Sequence, residues 1–136
     1  MAYQINRSNH VTDEIEMHDG DKTMLVRVDI SVDKILQQYN RSLRTITDAR
    51  ERINKLTDEG EIEAATVQLG TAIVAFFSLI FGEEQTAQIL AFYDGNHVDM
   101  FADFLPYLTD VIMPKIQQAQ QDIAARYKTG LRRFRK

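Results

Sequence analysis

Between Ala64 and Phe81 the chain reads AATVQLGTAIVAFFSLIF, eighteen residues without one Lys, Arg, Asp or Glu. Such a run has to be the centre of a core, a membrane span or a partner-binding surface, because water solvates it on no face. Gln68, Gly70, Thr71 and Ser78 punctuate it, and acidic clusters flank both ends. It is too short and too interrupted for a membrane span, which needs about 20 predominantly apolar residues. The expectation is a helix over about 61–81, surrounded by other helices.

The flanking sequence supplies partners for it. In VTDEIEMH, Val11, Asp13, Ile15 and Met17 alternate with Thr12, Glu14, Glu16 and His18; in TMLVRVDI, Met24, Val26, Val28 and Ile30 share one face. Asp19–Lys22 between them carries turn chemistry, so 11–30 reads as a β-hairpin with one apolar face, spoiled only by Asp13. A lone hairpin is marginal in water and must lie on the helices or on another copy. Ser31 reads as an N-cap for a helix over 31–56, with an apolar stripe from Val32 through Tyr39 and Ile46 to Leu56. Thr57 or Asp58 can cap the apolar helix that follows. Gly82 ends that helix, Glu83 and Glu84 open another, and Gly95 reads as its C′ stop. A last stripe, Val98, Phe101, Phe104, Leu105, Leu108, Ile112, Ile116, Ala119, Ile123 and Tyr127, predicts helix over 97–128. Pro106 predicts a break near Leu105, and Pro114 a kink or restart.

The fold class expected is therefore mainly α: a single domain, a bundle of about four helices with an N-terminal β-hairpin. Its parts are a flexible segment 1–10, the hairpin 11–30, the helical bundle 31–128, and a basic tail 129–136 that begins where Gly130 should end the last helix. No cysteine is present, which removes disulfides, thiolate metal sites and cysteine nucleophiles. The N-terminal residues lack the apolar stretch of a signal peptide, and with the missing cysteines this points to a reducing cytoplasm.

Nothing in the sequence has catalytic spacing. His97, Asp99 and Asp103 come nearest to a cluster, but on a helix 99 and 103 share a face from which 97 turns away. Glu83 and Glu84 are consecutive and diverge around the axis by about 100°. No nucleophile elbow or phosphate-cradling glycine loop occurs. The expectation is a protein without enzymatic activity, metal or cofactor.

Charge is unevenly spread. The net charge is −4, yet residues 56–114 hold ten carboxylates and no Lys or Arg, while 115–136 hold seven basic residues against Asp122 alone. This asymmetry favours attraction within one chain or between copies, hence a possible homo-oligomer. Arg132, Arg133 and Arg135 around Phe134 could grip nucleic acid through phosphates and stacking. A solvated terminus is the plainer reading.

Three segments carry a family likeness: VDISVDKILQQYNRSL at 28–43, LIFGEEQTAQILAFYDGN at 79–96, and VDMFADFLPYLTDVIMPKI at 98–116, ahead of a Gln/Ala-rich helix and a basic end. In this order, over roughly 11–128, they resemble the tail assembly chaperones of long-tailed bacteriophages, in particular those of Gram-positive hosts and their prophages. The resemblance implies a non-enzymatic helper of virion morphogenesis in the host cytoplasm. Such a protein binds the tape measure protein, keeps it soluble, recruits tail tube subunits, and is absent from the mature particle. Candidate partner-binding residues are Met100, Phe101, Phe104, Tyr107 and Met113, as plastic apolar groups, with Arg132, Arg133, Phe134 and Arg135 of the tail. The alternatives are a minor tail or connector component of the virion, or a small regulator that binds nucleic acid through the tail.

Overall fold

The computed structural model describes residues 2, 3 and 10–134, with the backbone alone for 33, 34, 36, 127 and 129–134. Most of the segment expected to be flexible at the N-terminus, and Arg135 and Lys136 of the tail, lie outside the described residues. The chain is mainly α, a bundle of four helical segments with an N-terminal antiparallel hairpin.

Strands β1 (His10–Asp19) and β2 (Lys22–Ser31) pair in the register Val11↔Ile30, Ile15↔Val26, Met17↔Met24. A two-residue turn joins them, with Gly20 at φ +61° in the first central position, where a type II′ turn calls for glycine. The alternation places Val11, Met17, Val26, Val28 and Ile30 in the core. Asp13 interrupts that face opposite Val28, and its carboxylate is fully engaged there. Oδ2 accepts from the Tyr107 hydroxyl at 2.7 Å and lies 3.5 Å from Lys115 Nζ, while Oδ1 accepts from the Glu14 N–H at 2.9 Å. The polar exception in the stripe thus fastens the hairpin to a helix 94 residues further along.

Both outer rims of the hairpin are blocked near the middle. On β1 the Glu14 N–H is taken by Asp13. On β2, Gln85 offers its amide as a strand would: Oε1 accepts from Arg27 N at 2.9 Å and Nε2 donates to Arg27 O at 2.7 Å.

Helix α1 (Val32–Lys55) buries Val32, Ile35, Tyr39 and Ile46. Ser31 occupies the N-cap position but makes no side-chain capping bond, contrary to expectation. Helix α2 (Glu59–Phe81) is capped by Asp58, whose Oδ2 accepts from Glu61 N at 3.0 Å. It buries Leu69, Gly70, Ile73, Phe76, Phe77, Ile80 and Phe81. Phe76 meets Tyr39 edge-on at 5.3 Å, and Phe77, Phe81 and Phe104 form a mutually contacting triad with centroids 5.1–5.6 Å apart. The expectation that this helix is too short for a membrane needs correction. Helix α2 has 23 residues and contains an 18-residue window of mean hydropathy 1.9, long and apolar enough to cross a membrane by length and composition, although 39% of that window is buried inside the protein, as in the core helix of a soluble domain.

Gly82, at φ +81°, breaks the chain between α2 and α3 (Glu83–Phe92). Helix α3 ends in a Schellman motif one residue earlier than expected. Asp94 N bonds to Ala91 O and Gly95 N to Leu90 O, so Asp94, at φ +53°, is C′ and Gly95 is C″.

The final segment differs most from expectation. No break occurs near Leu105: α4 (His97–Tyr107) contains Pro106, a π-helical turn spans Leu108–Ile112, and α5 (Met113–Phe134) follows without interruption. The reason lies in the buried residues Met100, Phe104, Leu108, Ile112 and Ile116, each four after the last. In a 3.6-residue helix every four-residue step overshoots by roughly 40°, and the stripe would wind off the core. The wider i→i+5 turn takes up that drift. Pro114, with no N–H to donate, follows directly. Tyr39 secures the turn from α1, its buried hydroxyl donating to Leu108 O at 2.8 Å while that oxygen also accepts from Met113 N. Tyr39→Phe removes the bond and should cost about 1–2 kcal/mol, read from urea unfolding at unchanged m-value. Beyond Lys128 the backbone stays helical through Gly130 to Phe134, where a stop was expected.

Candidate docking surface

Helix α2 has two faces of similar chemistry and opposite fate. Leu69, Ile73, Phe76 and Ile80 point into the core, whereas Val67 is 66% exposed and Ala64, Thr71 and Ala75 also face out. Along this outer side runs a groove of about 430 Å³ lined by Thr66, Val67, Gly70, Thr71, Val74 and His97. Its lining carries no carboxylate, lysine or arginine.

His97 closes one wall. The first turn of α4 is fixed by Asn96, whose side chain accepts from Asp99 N at 3.1 Å and donates to Asp99 Oδ2 at 2.8 Å. This sets the imidazole over Gly70, where an added Cβ would stand 3.2 Å from Nδ1. The glycine is therefore used internally, to let the start of α4 lie close on α2. Val98, next in line, is another large apolar side chain left in solvent.

The other two cavities differ in character. One of about 210 Å³ lies between β1 and the α3–α4 corner, lined by Ile15, Met17, Tyr93, Asp103 and Tyr107 among others. Its polar groups are already spent on each other or on the hairpin, as Tyr93 OH donates to Asp103 at 2.9 Å and Tyr107 OH to Asp13. Burial, then the adjacent carboxylate, holds both phenols protonated well above the usual tyrosine range. The other, about 290 Å³ between α1 and α5, is edged by Gln37, Asn40, Gln117 and Gln120 beside Tyr39, Met113 and Ile116.

Asp13 is shifted the opposite way. The Tyr107 hydroxyl first, then the Glu14 N–H and Lys115, hold its carboxyl below the usual aspartate value of 3.8. A depressed folded value contributes stability above the unfolded one and loses it as pH falls through the folded one. Asp13→Asn should therefore flatten the acid limb of urea midpoint against pH below about 4, where the unmodified chain keeps losing stability.

The residues expected to bind a partner separate into three groups. Met100, Phe101 and Phe104 are buried at 0%, 2% and 4% exposure, so they build the core and present nothing to a partner. Tyr107 and Met113 are half-buried, the first tied to Asp13 and the second in the amide-edged cleft. Arg132, Arg133 and Phe134 lie on the helical backbone of α5 with side chains outside the described residues, and Arg135 lies outside them altogether. The outer face of α2 was missed because an all-round apolar run gives no sign of which side stays uncovered.

His97, Asp99 and Asp103 go to separate partners, Gly70, Asn96 and Tyr93. Among the described residues no three His, Asp or Glu converge on a metal-sized space. Comparison with protein-family models, curated proteins and solved structures gives no match to this chain.

Proposed function

We propose that this chain is a non-enzymatic tail assembly chaperone of the long-tailed phage type, holding an apolar helical segment of the tape measure protein on the outer face of α2. One observation supports this above all. A helix whose inner face builds the core presents an uncharged groove of about 430 Å³ on its outer face, with Val67 standing open beside it. Helix-in-groove recognition needs such a strip, since apolar side chains at three- and four-residue spacing on a partner can settle into it. The sequence likeness of residues 11–128 supplies the identity of the partner. In this reading the protein acts in the host cytoplasm, delivers its client to tail tube subunits, and departs before the particle is complete.

Co-expression tests the reading. The tape measure protein encoded with this chain should be recovered soluble and in complex with it, and should become insoluble when expressed alone. Equal solubility without the chain would remove the chaperone role. Mass spectrometry of purified particles separates this from a minor tail or connector component: a chaperone is missing from them, a component is present at fixed stoichiometry.

A further inference from the structure

We infer that the α2 groove discriminates by charge, taking amphipathic helices whose polar side is rich in Lys and Arg; this rests on the proposed reading and names the class of segment bound. The floor of the groove is neutral, while the charges on the two elements that form it, α2 and the start of α4, are all acidic. Glu59 and Glu63 precede Val67 at four-residue steps, so they continue the same face of α2. Asp94, in the turn that leads into α4, is exposed three residues before His97, while Asp99 points away from it and is held by Asn96. Across 56–114 no cation interrupts this field.

Cations stand close by on α1, with Arg52 and Lys55 in its last turn, just ahead of Glu59. The ion pairs among the described residues engage Asp13, Glu14, Glu16 and Asp29, and none of the ten carboxylates between 56 and 114. On α1, Arg50 is drawn over the Phe101 ring, 5.6 Å from its centroid. An apolar strip continued along α2 by carboxylates that make no ion pair among the described residues complements an apolar stripe bordered by cations. Charge complementarity of this kind governs which partner is accepted more than how much area is buried.

Two labelled synthetic 20-residue helices with the same Leu/Ala face, one with Lys and one with Glu on its polar side, test this by fluorescence anisotropy against the full chain. The Lys helix should bind at least tenfold tighter at low salt. The preference should shrink to a few-fold at 0.5 M NaCl, as screening shortens the reach of the field. Glu59→Gln with Glu63→Gln should reduce the preference while leaving Glu-helix binding intact. Val67→Asp distinguishes the groove from general attraction to an acidic protein: it adds negative charge, so diffuse attraction would strengthen, whereas groove binding falls.

Equal binding of the two helices, preference for the Glu helix, or Lys-helix binding that survives Val67→Asp would overturn the inference. So would an apparent Kd that rises with protein concentration, since a second copy would then be the occupant. Any of these leaves the chaperone reading standing if the tape measure protein still needs the chain for solubility; loss of that dependence removes the reading itself.

Discussion

Phe77→Ala is expected to remove about 3–5 kcal/mol of stability, among the largest effects of any truncation in this chain. Phe77 is fully buried and sits at the crossing of α2 and α4, with its ring 5.1 Å from Phe104, 5.6 Å from Phe81 and 6.4 Å from Phe76. Truncation forfeits the transfer of the ring out of water and leaves a cavity. The surrounding side chains are themselves rings held edge-on and cannot collapse to fill it. The check is a urea or thermal unfolding curve. A loss below about 1 kcal/mol would mean that the α2–α4 crossing relaxes freely and that the triad is not the keystone described above. Domains of this size are commonly stable by about 5–15 kcal/mol, so a loss of this size removes a large share of the total.

If the outer face of α2 holds the client as proposed, Val67→Asp should have the converse profile, with stability little changed and client binding lost. The position is exposed and mid-helix, where substitutions typically move stability by no more than about 0.5 kcal/mol. Burying a valine side chain against a partner is worth about 1.5–3 kcal/mol, and placing a carboxylate in an apolar contact reverses that gain. Affinity for the tape measure protein should fall at least about tenfold, equivalent to 1.4 kcal/mol. The measurement is the soluble fraction of tape measure protein on co-expression, beside a titration with the purified chain. If Val67→Asp binds like the unmodified protein, the client lies on another surface. The amide-edged cleft at Met113 would then be the next place to substitute.

Setting these two positions side by side shows where sequence reasoning reached and where it stopped. Phe77 and Val67 belong to one uncharged run, so both looked equally buried; only the packing of α1 and α4 on one side makes one the core and the other the surface. Met100, Phe101 and Phe104 failed in the opposite sense. Their spacing marks a stripe without saying whether that stripe meets a neighbour or a partner. The hairpin was legible because a two-residue period tells inside from outside directly. Asp13, the exception to that period, was visible as an anomaly, but its partner Tyr107 is remote in sequence and no local pattern connects them. The π turn did leave a trace. Four successive four-residue steps from Met100 to Ile116 are one too regular for an α-helix; the break expected from Pro106 does not occur, whereas the restart expected at Pro114 does, with α5 beginning at Met113. The Gln85 contact with Arg27 left none, because a glutamine in the first turn of a helix is unremarkable.

That contact has a consequence for life at high concentration. At high concentration a hairpin is exposed to strand-by-strand polymerisation, for which a free ten-residue edge is a template. With Gln85 seated on one rim and Asp13 folded onto the other, an incoming strand would find both central backbone groups of Arg27 taken on β2 and the Glu14 N–H taken on β1. The hairpin is therefore a poor template for pairing with a second copy of itself.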